Sequence, residues 1–295
     1  MPRLLLNVLF AAALASAALA QDFRAVVTGQ VTDSSGAVIP DARLRLSNIE
    51  TGVAVSTSTS AAGVYTFPPV APGVYRLEAE LSGFKKFVRE SFTLQIQDRP
   101  VIDIVLEPGE LTAVITVNDE APLVEAANAS RGSVVTGRTL VDMPLNGRNA
   151  FALAALEPGV VITARGQAST FLRTTANNGI SSVNIGGGQA RSNEALLDGV
   201  PNTGSDGLIQ FVPSVDATRE FRVQTNVFDA EYGRFTGGVI NAAIKSGTNE
   251  FHGTLFHFLR NSRLNARDPF AAEIPQFAYN LFGGSAGGPV VLPKV

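Results

Sequence analysis

Between residues 23 and 107, apolar side chains return at every second position in short runs, and each run stops at a turn signal. Ala42, Leu44 and Leu46 alternate with Arg43, Arg45 and Ser47. Further runs follow at 53–59, 64–67, 74–80, 92–96 and 101–106, separated by Ser35-Gly36, Thr51-Gly52, Ala62-Gly63, Pro72-Gly73 and Ser82-Gly83. A strand turns successive side chains to opposite faces, so this pattern predicts strands that each bury one face. About seven such strands in about 85 residues make an antiparallel β-sandwich.

The order of the punctuation is distinctive. Gly29-x-Val31-x-Asp33, Gly36, Ile39-Pro40-x-Ala42 and Thr51-Gly52 come first, then Gly63-x-Tyr65-x-Phe67, Pro72-Gly73-x-Tyr75 and Gly83-Phe84. Taken together they resemble the carboxypeptidase regulatory-like domain, a transthyretin-like sandwich over residues 21–108. The resemblance implies an accessory module without a peptidase site, among relatives often grouped with carbohydrate-binding sandwiches. Each glycine is expected where a hairpin needs positive φ, with the Tyr and Phe side chains filling the space between sheets.

Pro108-Gly109 ends the sandwich, and residues 109–120 form a linker containing the strand-like strip Leu111, Thr112, Ala113, Val114, Ile115, Thr116 and Val117. From 121 to 250 the composition shifts to mixed segments rich in Gly and Asn. Helices are expected at 137–143 and 150–156, and strands at 132–135, 182–185, 195–197, 221–225 and 238–245, which is a compact α/β domain with long loops. From 251 onward the alternation returns with aromatics: Phe251, Gly253, Leu255, His257 and Leu259 on one parity, His252, Thr254, Phe256, Phe258 and Arg260 on the other. That dyad pattern predicts a sheet with two chemically different faces, and a second such strand begins near 276–284.

The 121–253 region resembles the plug domain of TonB-dependent receptors. The resemblance rests on Pro144-Leu145-Asn146-Gly147-Arg148-Asn149, Leu156-Glu157-Pro158-Gly159-Val160 and Asn193-Glu194-Ala195-Leu196-Leu197-Asp198-Gly199-Val200. It continues through Ala230-Glu231-Tyr232-Gly233-Arg234, Gly237-Gly238-Val239-Ile240-Asn241 and Lys245-Ser246-Gly247-Thr248-Asn249-Glu250-Phe251-His252-Gly253. Residues 280–289 are similar to the barrel segment that follows a plug in such receptors. The resemblance implies a mainly β chain: signal peptide, sandwich, α/β plug, and over 251–295 the first strands of a transmembrane β-barrel. It implies an outer-membrane receptor for uptake of a nutrient ligand, carbohydrate or peptide in class, with a TonB-type energy transducer as partner and the sandwich on the periplasmic side.

Two sets of site residues follow from it. The strip Leu111, Thr112, Val114, Thr116 and Val117 lies where such receptors carry the TonB box, a segment that pairs edge-on with the transducer through backbone hydrogen bonds. The same strip also reads as the sandwich's last strand or a plain linker. Arg219, Arg222, Glu231 and Arg234, with Glu220 and Asp229 among them, can pair with the barrel's inner wall or form an ordinary solvated surface. Only 45 residues follow Glu250, and a closed barrel needs about eight strands of roughly ten residues, so the sequence is expected to be a piece of a longer protein.

Composition removes several alternatives. The formal charge of −3 and pI near 5.5 provide no basic footprint for nucleic acid. There is no Cys, which excludes disulfides, thiolate catalysis, Cys-ligated metals and a lipidated N-terminus. Arg3 precedes a 16-residue apolar run that ends in Ala18-Leu19-Ala20, the form of a secretory leader over 1–20 and shorter than the roughly 20 residues of a membrane helix. Removing the leader removes Arg3 and takes the charge to −4.

No enzyme or cofactor is expected. Gly283-Gly284-Ser285-Ala286-Gly287 has the letters of a nucleophile elbow, but no acid or His follows Ser285 and Pro289 stops a helix. His252 and His257 are five apart, on opposite faces of a strand. Residues 198–207 are rich in oxygen ligands without calcium-loop spacing, and read as a plug loop facing ligand. The Gly186-Gly187-Gly188 run lacks a nucleotide-binding context. The rival reading is a secreted or periplasmic sandwich that binds carbohydrate or protein.

Overall fold

A computed structural model describes residues 23–109, 114–117, 132–143, 145, 150–162, 183–189, 191–205, 207, 209–225, 232–233, 235–264, 266–267, 269–270, 273–274, 276 and 278–289. The leader expected over 1–20 lies outside these residues. The described chain is mainly β and separates into two units, 1–245 and 246–295.

The sandwich holds β1 (Thr28–Asp33), β2 (Arg43–Asn48), β3 (Ala54–Ser58), β4 (Val64–Thr66), β5 (Gly73–Glu80), β6 (Lys86–Leu94), β7 (Ile104–Leu106) and β8 (Val114–Val117). One sheet has the order β4-β1-β7, the other β3-β2-β5-β6-β8. Leu44 and Leu46 of β2, Tyr75, Leu77 and Ala79 of β5, and Ile104 and Leu106 of β7 are buried in one apolar cluster, as the alternation requires. Strand β6 begins at Lys86, six residues before the apolar run that announced it. Its first half is charged and held by cross-strand pairs, Lys86 Nζ 3.0 Å from Glu78 Oε2 and Arg76 Nε 3.4 Å from Glu90 Oε2, so hydrophobic period does not reveal it.

Not every glycine is there for the reason expected. Gly63 does turn with φ of 70°. Gly29 does not: a Cβ on it would lie 2.0 Å from the Ile102 carbonyl oxygen, so the residue is small because two backbones meet there.

The second domain of the same unit has β9 (Gly132–Thr136), α1 (Gly137–Asp142), a 3-10 helix (Ala150–Leu156), β10 (Val160–Ile162), β11 (Val183–Ile185), β12 (Glu194–Leu197), β13 (Val200–Pro201), β14 (Thr218–Gln224) and β15 (Val239–Ile244). Its main sheet runs β13-β12-β15-β14-β9, with β12 and β15 parallel and the other pairs antiparallel. The segment at 150–156 is a 3-10 helix, a winding in which residues three apart eclipse, and the buried pairs Ala150/Leu153 and Phe151/Ala154 have that spacing. Phe151 packs edge-on to Phe221 of β14 with ring centroids 5.8 Å apart, at the centre of a second apolar cluster separate from the sandwich's.

The unit 246–295 is an antiparallel hairpin of β16 (His252–Asn261) and β17 (Ala278–Gly287). Phe251, Leu255, Leu259 and Phe282 share one face, Leu255 94% and Phe282 76% exposed, a degree of apolar exposure that a water-facing sheet does not carry. On the other face Thr254 Oγ1 and Ser285 Oγ hydrogen-bond at 2.8 Å. No helix among the described residues is long and apolar enough to cross a membrane, a statement that leaves β-barrels aside.

Candidate functional site

The half of the 111–117 strip that is described, β8, runs parallel to β6 with Val114 opposite Lys86 and Val117 opposite Arg89. It is the outermost strand of its sheet. The reading of the strip as the sandwich's last strand therefore holds for Val114, Thr116 and Val117, and the terminal position gives the sheet an edge at which a further strand could pair. Leu111 and Thr112 lie outside the described residues.

The charged residues of β14 do something the sequence did not announce. Register places Arg222 opposite Asn241, on the face away from Phe221 and Val223, and Glu220 and Gln224 share that polar face. Glu220, Arg222 and Gln224 are buried all the same, and the first two meet the sandwich. Glu220 Oε1 accepts the Ile96 amide at 2.5 Å, and Arg222 Nη1 donates to the Ile96 carbonyl at 3.2 Å and lies 3.5 Å from Asp98 Oδ1. Gln97 Nε2 donates to the Tyr232 hydroxyl. At the margin Arg219 Nη2 is 3.1 Å from Glu50 Oε2. Arg219 and Arg222, which the sequence left between a barrel wall and a solvated surface, engage the sandwich. Glu231, Arg234 and Asp229 lie outside the described residues.

The sequence signal for this face was present, in Glu220-x-Arg222-x-Gln224 interleaved with Phe221 and Val223. What it lacked was any mark on the sandwich turn at 95–98 that receives it. Burial pushes the Glu220 carboxyl above its ordinary value of 4.5, opposed by the Ile96 amide and by Arg219 and Arg222. An acid raised by folding adds stability that is complete below the unfolded value and disappears as pH rises through the folded one. Wild type and Glu220→Gln, compared by urea midpoint, should therefore differ most in favour of wild type at acid pH, with the difference moving toward the variant as pH rises above the ordinary carboxylate range.

Other candidates resolve into structural roles. Asp198 Oδ1 accepts the Ile244 amide at 2.9 Å, joining the 198–199 turn to β15. Ser285 lies mid-strand, not on a strand-to-helix turn. His252 and His257 sit opposite Gly287 and Phe282, on different faces of the hairpin. No group of three or more metal-binding side chains occurs among the described residues. An open cleft of about 360 Å³ is lined by Arg191, Ser192, Gly204, Ser205, Gly207 and Thr236.

Comparison with known proteins agrees with this architecture. Residues 26–107 match the carboxypeptidase regulatory-like domain, and residues 243–295 match an outer membrane beta barrel domain. The chain is 28% identical over 246 residues to the TonB-dependent transporter Oar of Myxococcus xanthus, across 80% of this chain. The chain is homologous to that transporter. The homologous stretch is 22% of Oar's length. Among solved structures, the siderophore receptor PirA of Acinetobacter baumannii is 21% identical over 54% of this chain and 22% of its own, with a TM-score of 0.39. The 5-hydroxyisourate hydrolase of Klebsiella pneumoniae is 21% identical over 29% of this chain and 91% of its own, with a TM-score of 0.25. Scores of that size carry no argument, and the assignment rests on the domain matches and the transporter. The outer membrane beta barrel domain match and the homology to Oar place this chain at the outer membrane.

Proposed function

We propose that the chain is the N-terminal part of a TonB-dependent receptor that draws a nutrient ligand across the outer membrane. The supporting observation is the transporter homology, which extends over 80% of the chain. In this reading residues 21–108 are a periplasmic sandwich, 109–120 hold the transducer-contacting strip, 121–250 form the plug and 251–295 begin the barrel. The hairpin fits that role, since two strands alone are marginal in water and its exposed apolar face suits lipid once further strands complete the sheet. The open cleft at Arg191, Ser192, Ser205 and Thr236 is the place proposed for ligand contact from the plug. Transport in such a device needs a pull on the plug, and a strand at a sheet edge is a handle of suitable chemistry: its backbone groups can pair with a partner strand in a way that tolerates sequence change.

Residues 1–295 contain no native Cys, so each thiol introduced there is unique within this stretch. Single cysteines at Leu111, Thr112, Val114, Thr116 and Val117, placed in the complete receptor, should form disulfides with a cysteine in the terminal strand of a TonB-type protein. Alternate positions should react best, as strand geometry demands. No cross-link at any of the five would remove the strip as the contact. Ligand accumulation that persists after the proton-motive force is collapsed would remove the transport reading itself.

A further inference from the structure

The sandwich and the plug each have their own apolar core, and a set of polar contacts at residues 95–98 joins them around the fully buried Ile96. The sandwich contributes a turn at 95–98, closed by the Asp98 amide donating to the Gln95 carbonyl at 3.2 Å and by Asp98 Oδ2 accepting the Gln95 amide at 2.7 Å. The plug reads this turn by its backbone. Glu220 and Arg222, two apart on one face of β14, take the amide and the carbonyl of Ile96, the two groups a neighbouring strand would otherwise pair. Gln97 beside them has φ of 59°, a left-handed conformation that costs a side-chain-bearing residue about 1 kcal/mol or more and that glycine or asparagine adopts more readily. Its side chain is what reaches Tyr232, so the strained position carries a contact that glycine could not make.

We propose that the 95–98 turn and the polar face of β14 form a releasable clasp, by which the sandwich caps the plug and from which it can separate while both domains stay folded. The physical reason is the chemistry of the contact. Separating two apolar surfaces exposes hydrocarbon to water, whereas separating this one returns a carboxylate, a guanidinium and backbone groups to a solvent that hydrates them well. Two more polar groups gain by it: Gln97 Oε1 and the side-chain amide of Asn241 are buried with no hydrogen-bond partner among the described residues in the closed arrangement. The apolar clusters on either side share no member, so opening breaches neither. The inference does not depend on the uptake reading, since it concerns only how two domains of this chain are held.

Thiol labelling in the cysteine-free background tests it. Ile96 is fully buried and the plug reads its backbone, so Ile96→Cys keeps the clasp and reports its opening. In the full chain this thiol should react slowly at a rate set by a local opening, while a thiol at the sandwich core position Ala79 reacts only on global unfolding. Adding Arg222→Met should speed the reaction at position 96 by about tenfold, the factor for one charge-assisted hydrogen bond, with no change at position 79. Equal rates at 96 and 79 in all conditions would mean a fused core and overturn the clasp, and a rate at 96 equal to that of a free thiol would mean no cap at all. Should Ile96→Cys not fold, exchange of the Ile96 amide in the unsubstituted chain reads the same opening: protection intermediate between that of the Leu77 amide and that of an exposed turn supports it, and either extreme overturns it.

Discussion

Replacing Phe221 by alanine should destabilise the second domain by about 3–5 kcal/mol, the range for truncating a fully buried aromatic side chain. Phe221 is 0% exposed, stands edge-on to Phe151, and faces Val135 of β9 and Ala242 of β15 across the sheet, so truncation opens a cavity between the sheet and the 3-10 helix. The loss approaches the whole stability of a marginal domain, typically 5–15 kcal/mol. Hydrogen exchange resolved by peptide is the measurement. Protection should fall across β9, β14 and β15 and persist in β2 and β5. A uniform fall through both domains would show that their cores are not independent, and would count against the polar clasp as well.

The matching experiment in the sandwich is Tyr65→Ala, for which about 3–5 kcal/mol is again expected, with loss confined to β1 to β7. Tyr65 is buried, sits edge-on to Phe67 at 5.7 Å, and donates its hydroxyl to the Ile102 carbonyl at 2.6 Å. Tyr65→Phe separates the two contributions: keeping the ring and removing the donor should cost about 1–3 kcal/mol, the price of a buried carbonyl deprived of its partner. The urea midpoint of the sandwich transition ranks the three proteins. Tyr65→Phe as damaging as Tyr65→Ala would assign the stabilisation to the hydrogen bond alone and refute the packing account.

The sandwich was the most legible part of the chain because its strands bury one face each. In β2 and β5 the alternation of Leu44 and Leu46, or Tyr75, Leu77 and Ala79, with charged neighbours states the strand and its inward face at once. The first half of β6 was hidden because its outward residues are matched to the charges of β5, a pairing that only register reveals. In the second domain, short elements were found where apolar residues cluster, at 137–142, 150–156, 194–197 and 239–244. The roles of Arg219 and Arg222 were not found, because a charged residue on a strand looks the same whether it meets water, a barrel wall or another domain. The 95–98 turn carried no mark, since Glu220 and Arg222 read its main chain and any residue other than proline offers the same amide and carbonyl.

The order of letters alone determined the strand-rich architecture, the turn positions, the likeness to a plug and the absence of thiol chemistry, because these depend on local period and residue type. Tertiary structure decided which polar residues are buried, that β8 forms a sheet edge, and that Gly29 is small for a neighbour's sake. Those facts belong to pairs of residues far apart in sequence, Glu220 with Ile96 and Gly29 with Ile102, and a pair interaction has no trace in either partner's own neighbourhood.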